Sequence, residues 1–507
     1  MPILNSILSL VNNRRLTQVD HFKSNGDEVQ QQQLFELLKT AKDTEWGNKY
    51  DFSSVSSIVD FTQRIPVQRY EDIAGSIEQA RQGKANLMWP GEIKWFAKSS
   101  GTTSSKSKYI PVSKEALEDC HYRGGKDVLA IYNQLYPENE MLTGKGLTLG
   151  GSQQLNPISK DSMSGDLSAI LIGNMPFWTN FIKTPNQSIA LMDEWEEKLV
   201  KITDATINEN VTSITGVPSW LLVLLKHILK ISGTNNLLDI WPNLELFIHG
   251  GINFSPYREQ YKKIIPSDNM RYMETYNASE GFFAIQDDPS TDAMLLMLDY
   301  GIFYEFIPMN EVDKPFPKTL QLHEVELDTN YALVITTNGG LWRYLIGDTI
   351  QFKSKNPYRI VISGRTKHFI NAFGEELIID NATKALHDAC AKTNALIKEY
   401  TAAPKYMSTD SKGCHEWLIE FERPPESLAY FEEVLDHKLQ SLNSDYEAKR
   451  YKDITLTTPV VIVGKTGLFF EWLKEKNKLG GQNKVPRLSN NRDYIDELIK
   501  VNQRISN

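Results

Sequence analysis

A loop rich in glycine, serine and threonine follows a predicted strand at residues 98–108. Gly101 lets the backbone come close to a ligand, and the surrounding hydroxyl and backbone N–H groups can enclose a polyphosphate. Lys106 and Lys108 add positive charge. The segment is not a Walker phosphate loop, because it lacks the Gly-Lys-Ser/Thr ending of that motif. A polar surface loop has the same composition, so the segment alone allows both interpretations.

An aromatic residue and a carboxylate stand close together in segment 274–281, just before a predicted strand. Tyr276 could stack on a flat base, and Glu280 is a hard oxygen ligand suited to a magnesium ion that bridges phosphates. The alternative is an ordinary turn at the end of a strand, capped by Ser279.

Three further segments each contain a charged residue that could act on a nucleotide. Asp348 ends segment 339–348 in a Gly-Asp pair that could hold a ribose diol, although a plain hairpin turn has the same pattern. Arg365 follows a glycine at a predicted boundary and could face a phosphate, or belong to a linker. Lys484 lies in the glycine-rich segment 480–487 and could swing into a site, whereas a solvated lysine is the alternative.

The elements predicted around these residues indicate an α/β fold, because short apolar strands alternate with helical patterns through the middle of the chain. The first ninety residues are predicted to be helical, and Ser113 is a candidate N-cap for a helix over 114–135. The predicted strands cover 213–216, 244–249 and 282–285, and the helices between them cover 192–204, 218–232 and 256–264.

The chain is predicted to form two domains, with the boundary at 363–365. Domain 1–364 is the larger, with sheets layered against helices and a strand-rich part over 295–362 that forms an antiparallel sheet or a small β-barrel. Domain 365–507 is predicted to be a smaller, mobile α+β domain, since helical and strand patterns alternate beyond residue 375.

Composition excludes a collagen, a coiled coil and a wholly disordered chain. The 507 residues contain 41% hydrophobic side chains and a formal charge of −9, which is typical of a globular protein and gives no global attraction to nucleic acid or anionic membrane. The 3 cysteines are widely spaced, which argues against a disulfide framework. No signal peptide or membrane span is recognised, so a cytoplasmic location is expected.

The five segments, in this order and with these gaps, resemble the adenylate-forming superfamily of acyl-CoA synthetases, peptide-synthetase adenylation domains and firefly luciferase. The superfamily's phosphate loop resembles Ser99–Lys108, and its aromatic-x-x-Thr-Glu motif resembles Tyr276–Glu280, with Ser279 in the threonine position. Its Y-R-x-G-D motif resembles Tyr344–Asp348, and its hinge resembles Gly364–Lys367. Its late catalytic lysine resembles Lys484.

Within that superfamily the chain is most similar to the auxin-responsive Gretchen Hagen family of acyl-acid amido synthetases. The similarity spans nearly the whole chain and is strongest in segments 99–103, 341–348 and 482–487. Two residues depart from the pattern. Ser104 stands where many relatives have glycine, and Leu345 replaces the arginine of Y-R-x-G-D, with Arg343 two positions earlier. The second change affects the local salt bridge of that motif and leaves the ribose role of Asp348.

The resemblance implies a ligase that uses ATP and magnesium. A carboxylic acid is adenylated with release of pyrophosphate, and an amine, expected to be an amino acid, then displaces AMP. The residues implied to hold the nucleotide are Ser99, Ser100, Gly101, Thr102, Thr103, Gly250, Gly251, Tyr276, Ser279, Asp348 and Arg365. Glu280 is implied to hold the metal, and Lys484 to stabilise the charge that develops during adenylation.

The acid pocket is placed by analogy between helix 114–135 and the turn that follows strand 213–216. It would contain Tyr122, Arg123, Thr215 and Val217, with Arg123 either pairing with the acid's carboxylate or lying at the surface. The residues leave two other functions open: a ligase that passes the acyl group to coenzyme A or a carrier thiol, and a non-catalytic nucleotide sensor. They do not reveal the acid or the acceptor.

Overall fold

The computed structural model describes residues 14–99, 108–150, 156–158, 162–176, 179, 181–192, 194–252, 254, 257–366, 369–408, 411–453, 455–476 and 486–505. The helices of the first 270 residues are α1 (14–24), α2 (Gly26–Ala41), α3 (Glu45–Lys49), α4 (Ile58–Arg64), α5 (Tyr70–Arg81), α6 (Tyr122–Leu135), α7 (Leu167–Gly173), α8 (Gln187–Ala190), α9 (Trp195–Thr206), α10 (Pro218–Ser232) and α11 (Arg258–Ile264). The later helices are α12 (Ile379–Thr393), α13 (Leu428–Leu442), α14 (Ser444–Arg450), α15 (Leu468–Glu475) and α16 (Asp493–Arg504).

The strands lie mainly in the middle of the chain. The first ten are β1 (Trp95–Ser99), β2 (Lys108–Val112), β3 (Lys145–Thr148), β4 (Asn156–Pro157), β5 (Met163–Gly165), β6 (Lys183–Thr184), β7 (Val211–Gly216), β8 (Leu246–Gly250), β9 (Arg271–Ala278) and β10 (Gly281–Ile285). The others are β11 (Met294–Leu296), β12 (Ile302–Pro308), β13 (Asn330–Thr337), β14 (Tyr344–Lys355), β15 (Tyr358–Arg365), β16 (Phe369–Ile370), β17 (Leu377–Ile378), β18 (Leu396–Lys405), β19 (Cys414–Arg423) and β20 (Val460–Gly464).

The central element is an 11-stranded sheet in the order β12-β13-β14-β15-β11-β10-β9-β8-β7-β3-β6. Strands β6, β3, β7, β8 and β9 run parallel, whereas every pairing from β9 through β10 to β12 is antiparallel. The predicted α/β class is therefore confirmed. The strand-rich part predicted over 295–362 is antiparallel and is continuous with the parallel half.

Local sequence signals explain the helices beside this sheet. The hydroxyl of Ser113 accepts a hydrogen bond from the backbone N–H of Ala116 at 2.9 Å, so the predicted N-cap is confirmed. The helix it begins contains a π-helical stretch, Ala116–His121, before α6. Helix α10 has Pro218 in its first turn and ends at Gly233, whose φ of +70° is the left-handed conformation that favours glycine at a helix end.

Residues beyond 365 pack against the parallel half of the sheet. The hydroxyl of Tyr257 donates to the carbonyl of Ala372 at 2.8 Å, and the ammonium of Lys449 lies 4.3 Å from the ring centre of Trp220. A separate three-stranded sheet, β18-β19-β20, lies in this C-terminal part. The predicted domain boundary and the mobility of the C-terminal domain stay predictions. In the described ranges, no helix is both long and apolar enough to cross a bilayer.

A buried ion pair holds the start of β14. The guanidinium of Arg343 donates to Glu305 at 2.7 and 2.9 Å, and also to the carbonyls of Thr62 and Ile65. The two side chains are 5% and 2% exposed. Arg343 therefore links the strand to the α4 region and to β12. In place of the missing arginine at Leu345, this chain has a salt bridge two positions earlier.

We expect Arg343→Met to destabilise the fold by about 3–5 kcal/mol, because it leaves the Glu305 carboxylate buried without its counter-charge. The measurement is the urea unfolding midpoint followed by tryptophan fluorescence. Lys201→Ala is the matched control, since it removes the exposed pair with Glu197 in α9 and is expected to change stability by no more than about 0.5 kcal/mol. Equal midpoints for the two variants would contradict this account of Arg343.

Candidate active site

The carboxyl ends of the parallel strands form one edge of the large sheet, which is where open α/β sheets bind ligands. Gly216, Gly250 and Ala278 are the last residues of β7, β8 and β9, and all three strands run in the same direction. Several of the residues predicted from the sequence therefore lie at the same edge, although they are far apart in the chain.

Two glycines bring the backbone of β8 close to β9 at this edge. A Cβ atom on Gly250 would lie 2.4 Å from the carbonyl oxygen of Thr275, so only glycine fits there. Gly251 has φ of +83°, and a Cβ atom on it would lie 3.5 Å from Cγ2 of Val217. Gly250 and Gly251, which form a glycine wall and are predicted to hold the nucleotide, thus lie directly beside one predicted acid-pocket residue.

A hydrogen bond joins two of the predicted motifs. The hydroxyl of Tyr276 donates to Oδ2 of Asp348 at 2.6 Å, and both residues are buried. Their strands, β9 and β14, are four steps apart in the sheet order, which would be about 19 Å on a flat sheet at about 4.8 Å a step. The sheet must therefore curl strongly to bring the two side chains together.

An irregularity in β14 helps to aim the aspartate. On β13, Ala332 and Val334 pair with Thr349 and Leu345, so 346–348 on β14 lie opposite a single residue. Bulges of this kind re-aim side chains beside functional sites, and Gly347 has the positive φ, +99°, that the turn requires. Across the neighbouring ladder, Asp348 pairs with Arg365. The structure thus brings the third and fourth motifs side by side.

Glu280 and Ser279 form the turn of the hairpin between β9 and β10, because Ala278 pairs with Gly281. The hairpin and the metal-ligand interpretations of this segment are therefore compatible. Glu280 is half-buried and contributes one carboxylate, which suits a magnesium ion that is held mainly by substrate phosphates and water.

The phosphate-loop candidate is described only at its two ends. Ser99 ends β1 and pairs with Lys108 at the start of β2, so the predicted loop connects two antiparallel neighbours. The predicted residues Ser100, Gly101, Thr102, Thr103 and Lys484 lie outside the described residues, as does the side chain of Arg365.

The predicted acid-pocket residues on α6 point to two different neighbours. The hydroxyl of Tyr122 donates to the carbonyl of Leu171 in α7 at 2.8 Å. The guanidinium of Arg123 donates to the carbonyl of Asp299 at 3.0 Å and lies 3.5 Å from its carboxylate. Arg123 thus already has a counter-charge here, which competes with the predicted role of pairing with the acid. Thr215 lies at the carboxyl end of β7, beside the glycine wall.

Two titratable groups near these residues had no role in the sequence analysis. His121 is buried in the π-helical stretch, where burial lowers its pKa to about 4, and its Nδ1 has no hydrogen-bond partner among the described residues. Burial, followed by the charge of Asp292, raises the pKa of Glu274 on β9 to about 7. Neither could have been found from residue type or spacing, because the signal is the surrounding packing.

Profiles of three domains of one family match the chain in succession. The GH3 family N-terminal domain matches residues 15–270, the central domain 295–365 and the C-terminal domain 380–493. The chain belongs to the GH3 family. This confirms the family resemblance found in the sequence. The curated relatives named as amido synthetases agree with the prediction of an amide-forming ligase.

Similar proteins are found by sequence and by structure. Indole-3-acetic acid-amido synthetase GH3.3 of Arabidopsis thaliana is 23% identical, covering 92% of this chain and 90% of the relative. The structure of AtGH3.15 acyl acid amido synthetase in complex with 2,4-DB matches with a TM-score of 0.61 and 18% identity, covering 98% and 96% of the two chains. 2-Hydroxyisobutyryl-CoA ligase with 2-HIB-AMP and CoA matches with a TM-score of 0.56 and 14% identity, covering 95% and 93%.

We expect Tyr276→Phe to weaken AMP binding about tenfold, because a hydrogen bond to a carboxylate contributes about 1.5–3 kcal/mol and helps to orient Asp348. The dissociation constant is measured by isothermal titration calorimetry. Tyr272→Phe is the matched control on the same strand, since its hydroxyl is buried and has no hydrogen-bond partner in the part of the chain that the structure describes. AMP affinity that falls equally in both variants would show that the Tyr276–Asp348 contact does not orient the site.

Glu274 is expected to make stability depend on pH. Its pKa is raised from 4.5 to about 7 in the folded protein, so the folded state binds more protons than the unfolded state between those values. Stability therefore falls as the pH rises through that window, by up to about 3 kcal/mol. Glu274→Gln should raise the urea midpoint at pH 8 and leave it nearly unchanged below pH 4.5. A difference between variant and parent that is the same at both pH values would contradict the raised pKa.

Proposed function

We propose that the chain adenylates a carboxylic acid with ATP and transfers the acyl group to the amine of an amino acid. In the first step an oxygen of the acid attacks the α-phosphorus, and pyrophosphate leaves. In the second step the amine nitrogen attacks the acyl carbon, AMP leaves with the bonding electrons, and the nitrogen loses a proton. Curated relatives of this chain are named as amido synthetases, which supports an amide product.

The observation that most supports nucleotide binding is the buried hydrogen bond between Tyr276 and Asp348 at 2.6 Å. A carboxylate can accept several hydrogen bonds, so ribose hydroxyls can donate to Asp348 alongside Tyr276. The glycine wall at 250–251 lies next to β9, and the base would lie against its backbone. Together these groups hold the nucleoside while leaving its phosphates toward the β1–β2 loop.

The first step depends on electrostatic stabilisation, because phosphoryl and nucleotidyl transfer need positioning and charge neutralisation more than covalent help. A magnesium ion bound to the phosphates would supply that charge, with Glu280 as its protein ligand. Ser99, Ser100, Gly101, Thr102 and Thr103 would donate to the phosphates. Ser279 in the β9–β10 turn and Arg365 at the end of β15 would add to them. Lys484 would approach from the C-terminal part and stabilise the developing charge.

The acid is proposed to lie between α6 and the carboxyl end of β7. Thr215 and Val217 would contact it on one side and Tyr122 on the other, with its carboxylate toward the nucleotide. Arg123 would reach it only by leaving Asp299. A thiol acceptor is the second candidate, because the fold is shared with 2-hydroxyisobutyryl-CoA ligase and fold alone does not decide the acceptor.

The first test is acid-dependent exchange of pyrophosphate into ATP with magnesium, using a panel of aryl, indole and fatty acids. Glu280→Gln is expected to reduce the exchange at least a hundredfold, since losing a metal ligand removes charge stabilisation of several kcal/mol. Glu197→Gln, an exposed glutamate on α9, is the control and should exchange at the parent rate.

The acceptor is then identified by mass spectrometry of the products formed with free amino acids or with coenzyme A. Amide products would support the proposal, and thioester products would support the second candidate. ATP binding without exchange for any acid of the panel would contradict adenylation and favour a nucleotide sensor.

A further inference from the structure

A cavity of about 210 Å³ lies beside β6, the outermost strand of the large sheet. It lies outside the nucleotide and acid positions described above. This volume exceeds the space of a single water several-fold and suits a small organic molecule. Its wall combines apolar and polar groups, including Thr148, Ile172, Met175, Thr179, Lys183 and Ala190.

Lys183 is the charged group of this cavity, and it has a poor partner. Its ammonium lies 3.1 Å from the thioether sulfur of Met175. Among the described residues it makes no other hydrogen bond or ion pair, and burial lowers its pKa below the ordinary value. An ammonium has three donors and a thioether is a weak acceptor, so this cation is partly desolvated without a matching anion.

Two nearby lysines differ from Lys183, because each of them has an oxygen partner. Lys198 donates to the carbonyl of Gly150 at 2.7 Å, and Lys145 pairs with the carboxylate of Glu209 at 2.7 Å. Both therefore have an oxygen partner from the protein. Lys183 is the lysine of this group that lines a cavity, which indicates that its partner is a ligand.

The cavity is one strand away from the proposed acid position. Thr148, at the carboxyl end of β3, pairs in register with Thr215 on β7, and adjacent strands lie about 4.8 Å apart. A molecule in the cavity can therefore reach the acyl group of a substrate that lies beside Thr215.

The remaining wall suits an amino acid. The hydroxyl of Thr179 donates to the carbonyl of Pro176 at 2.7 Å, so its oxygen still has lone pairs that can accept from an amine. Ile172 and Ala190 present apolar surface for a side chain. A cation, a hydrogen-bond acceptor and an apolar wall match the three parts of an α-amino acid.

We propose that this cavity binds a substrate carboxylate with Lys183 as its counter-ion. The inference rests on the proposed function, which supplies two sources of carboxylate: the α-carboxylate of the acceptor amino acid, and a second carboxylate on a dicarboxylic acyl substrate. The wall favours the amino acid, and the experiment separates the two sources.

The test measures binding of L-leucine, L-leucinamide and glutarate to the full chain with AMP present, by saturation-transfer NMR titration. Lys183→Met should weaken leucine binding at least tenfold and leave leucinamide binding unchanged, because only leucine has the carboxylate. Lys145→Met removes a neighbouring lysine and is the matched control, with no change expected. If glutarate rather than leucine loses affinity in Lys183→Met, the carboxylate site stands and its source is the acyl substrate.

A second variant covers the case in which Lys183→Met does not fold. Ala190→Met would fill the cavity without changing charge, and it should abolish binding of leucine and leucinamide alike. The proposal would be overturned if all three probes bind equally to the parent and to both variants. It would also be overturned if the parent binds none of them.

Pyrophosphate exchange, measured on the same samples, separates this inference from the proposed function. If exchange occurs but no probe binding depends on Lys183, only the cavity site is refuted. If probe binding depends on Lys183 but no acid supports exchange, the proposed function is refuted and the carboxylate site stands.

Discussion

The curl of the large sheet is the constraint on which the candidate site depends, and the hydrogen bond from Tyr276 to Asp348 is its most direct expression. Strands β9 and β14 are separated by β10, β11 and β15, yet their side chains meet at 2.6 Å. Without that curl the base-facing tyrosine and the proposed ribose-binding carboxylate would lie too far apart for one nucleoside. All four pairings between β9 and β14 are antiparallel, so this curl lies within the antiparallel half of the sheet.

Two features at and before Asp348 support its position on β14. The bulge at 346–348 re-aims the carboxylate, and the buried pair of Arg343 with Glu305 fixes the start of the strand against the N-terminal helices. Arg343, two positions before Leu345, therefore supplies a guanidinium to the core beside this strand. The rigid parts of the site thus come from packing that is remote from any substrate.

Buried charges in this chain fall into two groups. Among the described residues, some are matched by protein partners, as in the pairs of Arg343 with Glu305 and of Arg450 with Asp436, each at 2.7 Å. Among the described residues, Lys183 has only a thioether as its hydrogen-bond partner, and burial raises the pKa of Glu274 to about 7. A desolvated charge without a partner is unfavourable in the protein without ligand. Such groups are therefore candidates for ligand binding or proton transfer.

Residue types, order and spacing were enough to determine the family, the α/β class and the enzyme class, because these motifs are short and local. The starts of the helices at Ser113 and Pro218 were also predicted from the sequence, because a capping residue contacts backbone groups only a few residues away. The pairing of Tyr276 with Asp348, the counter-charge that Asp299 provides for Arg123, and the cavity around Lys183 were decided only by the tertiary structure. Each depends on strands or helices brought together from distant parts of the chain, and local sequence does not encode which side chains then meet or lose their water.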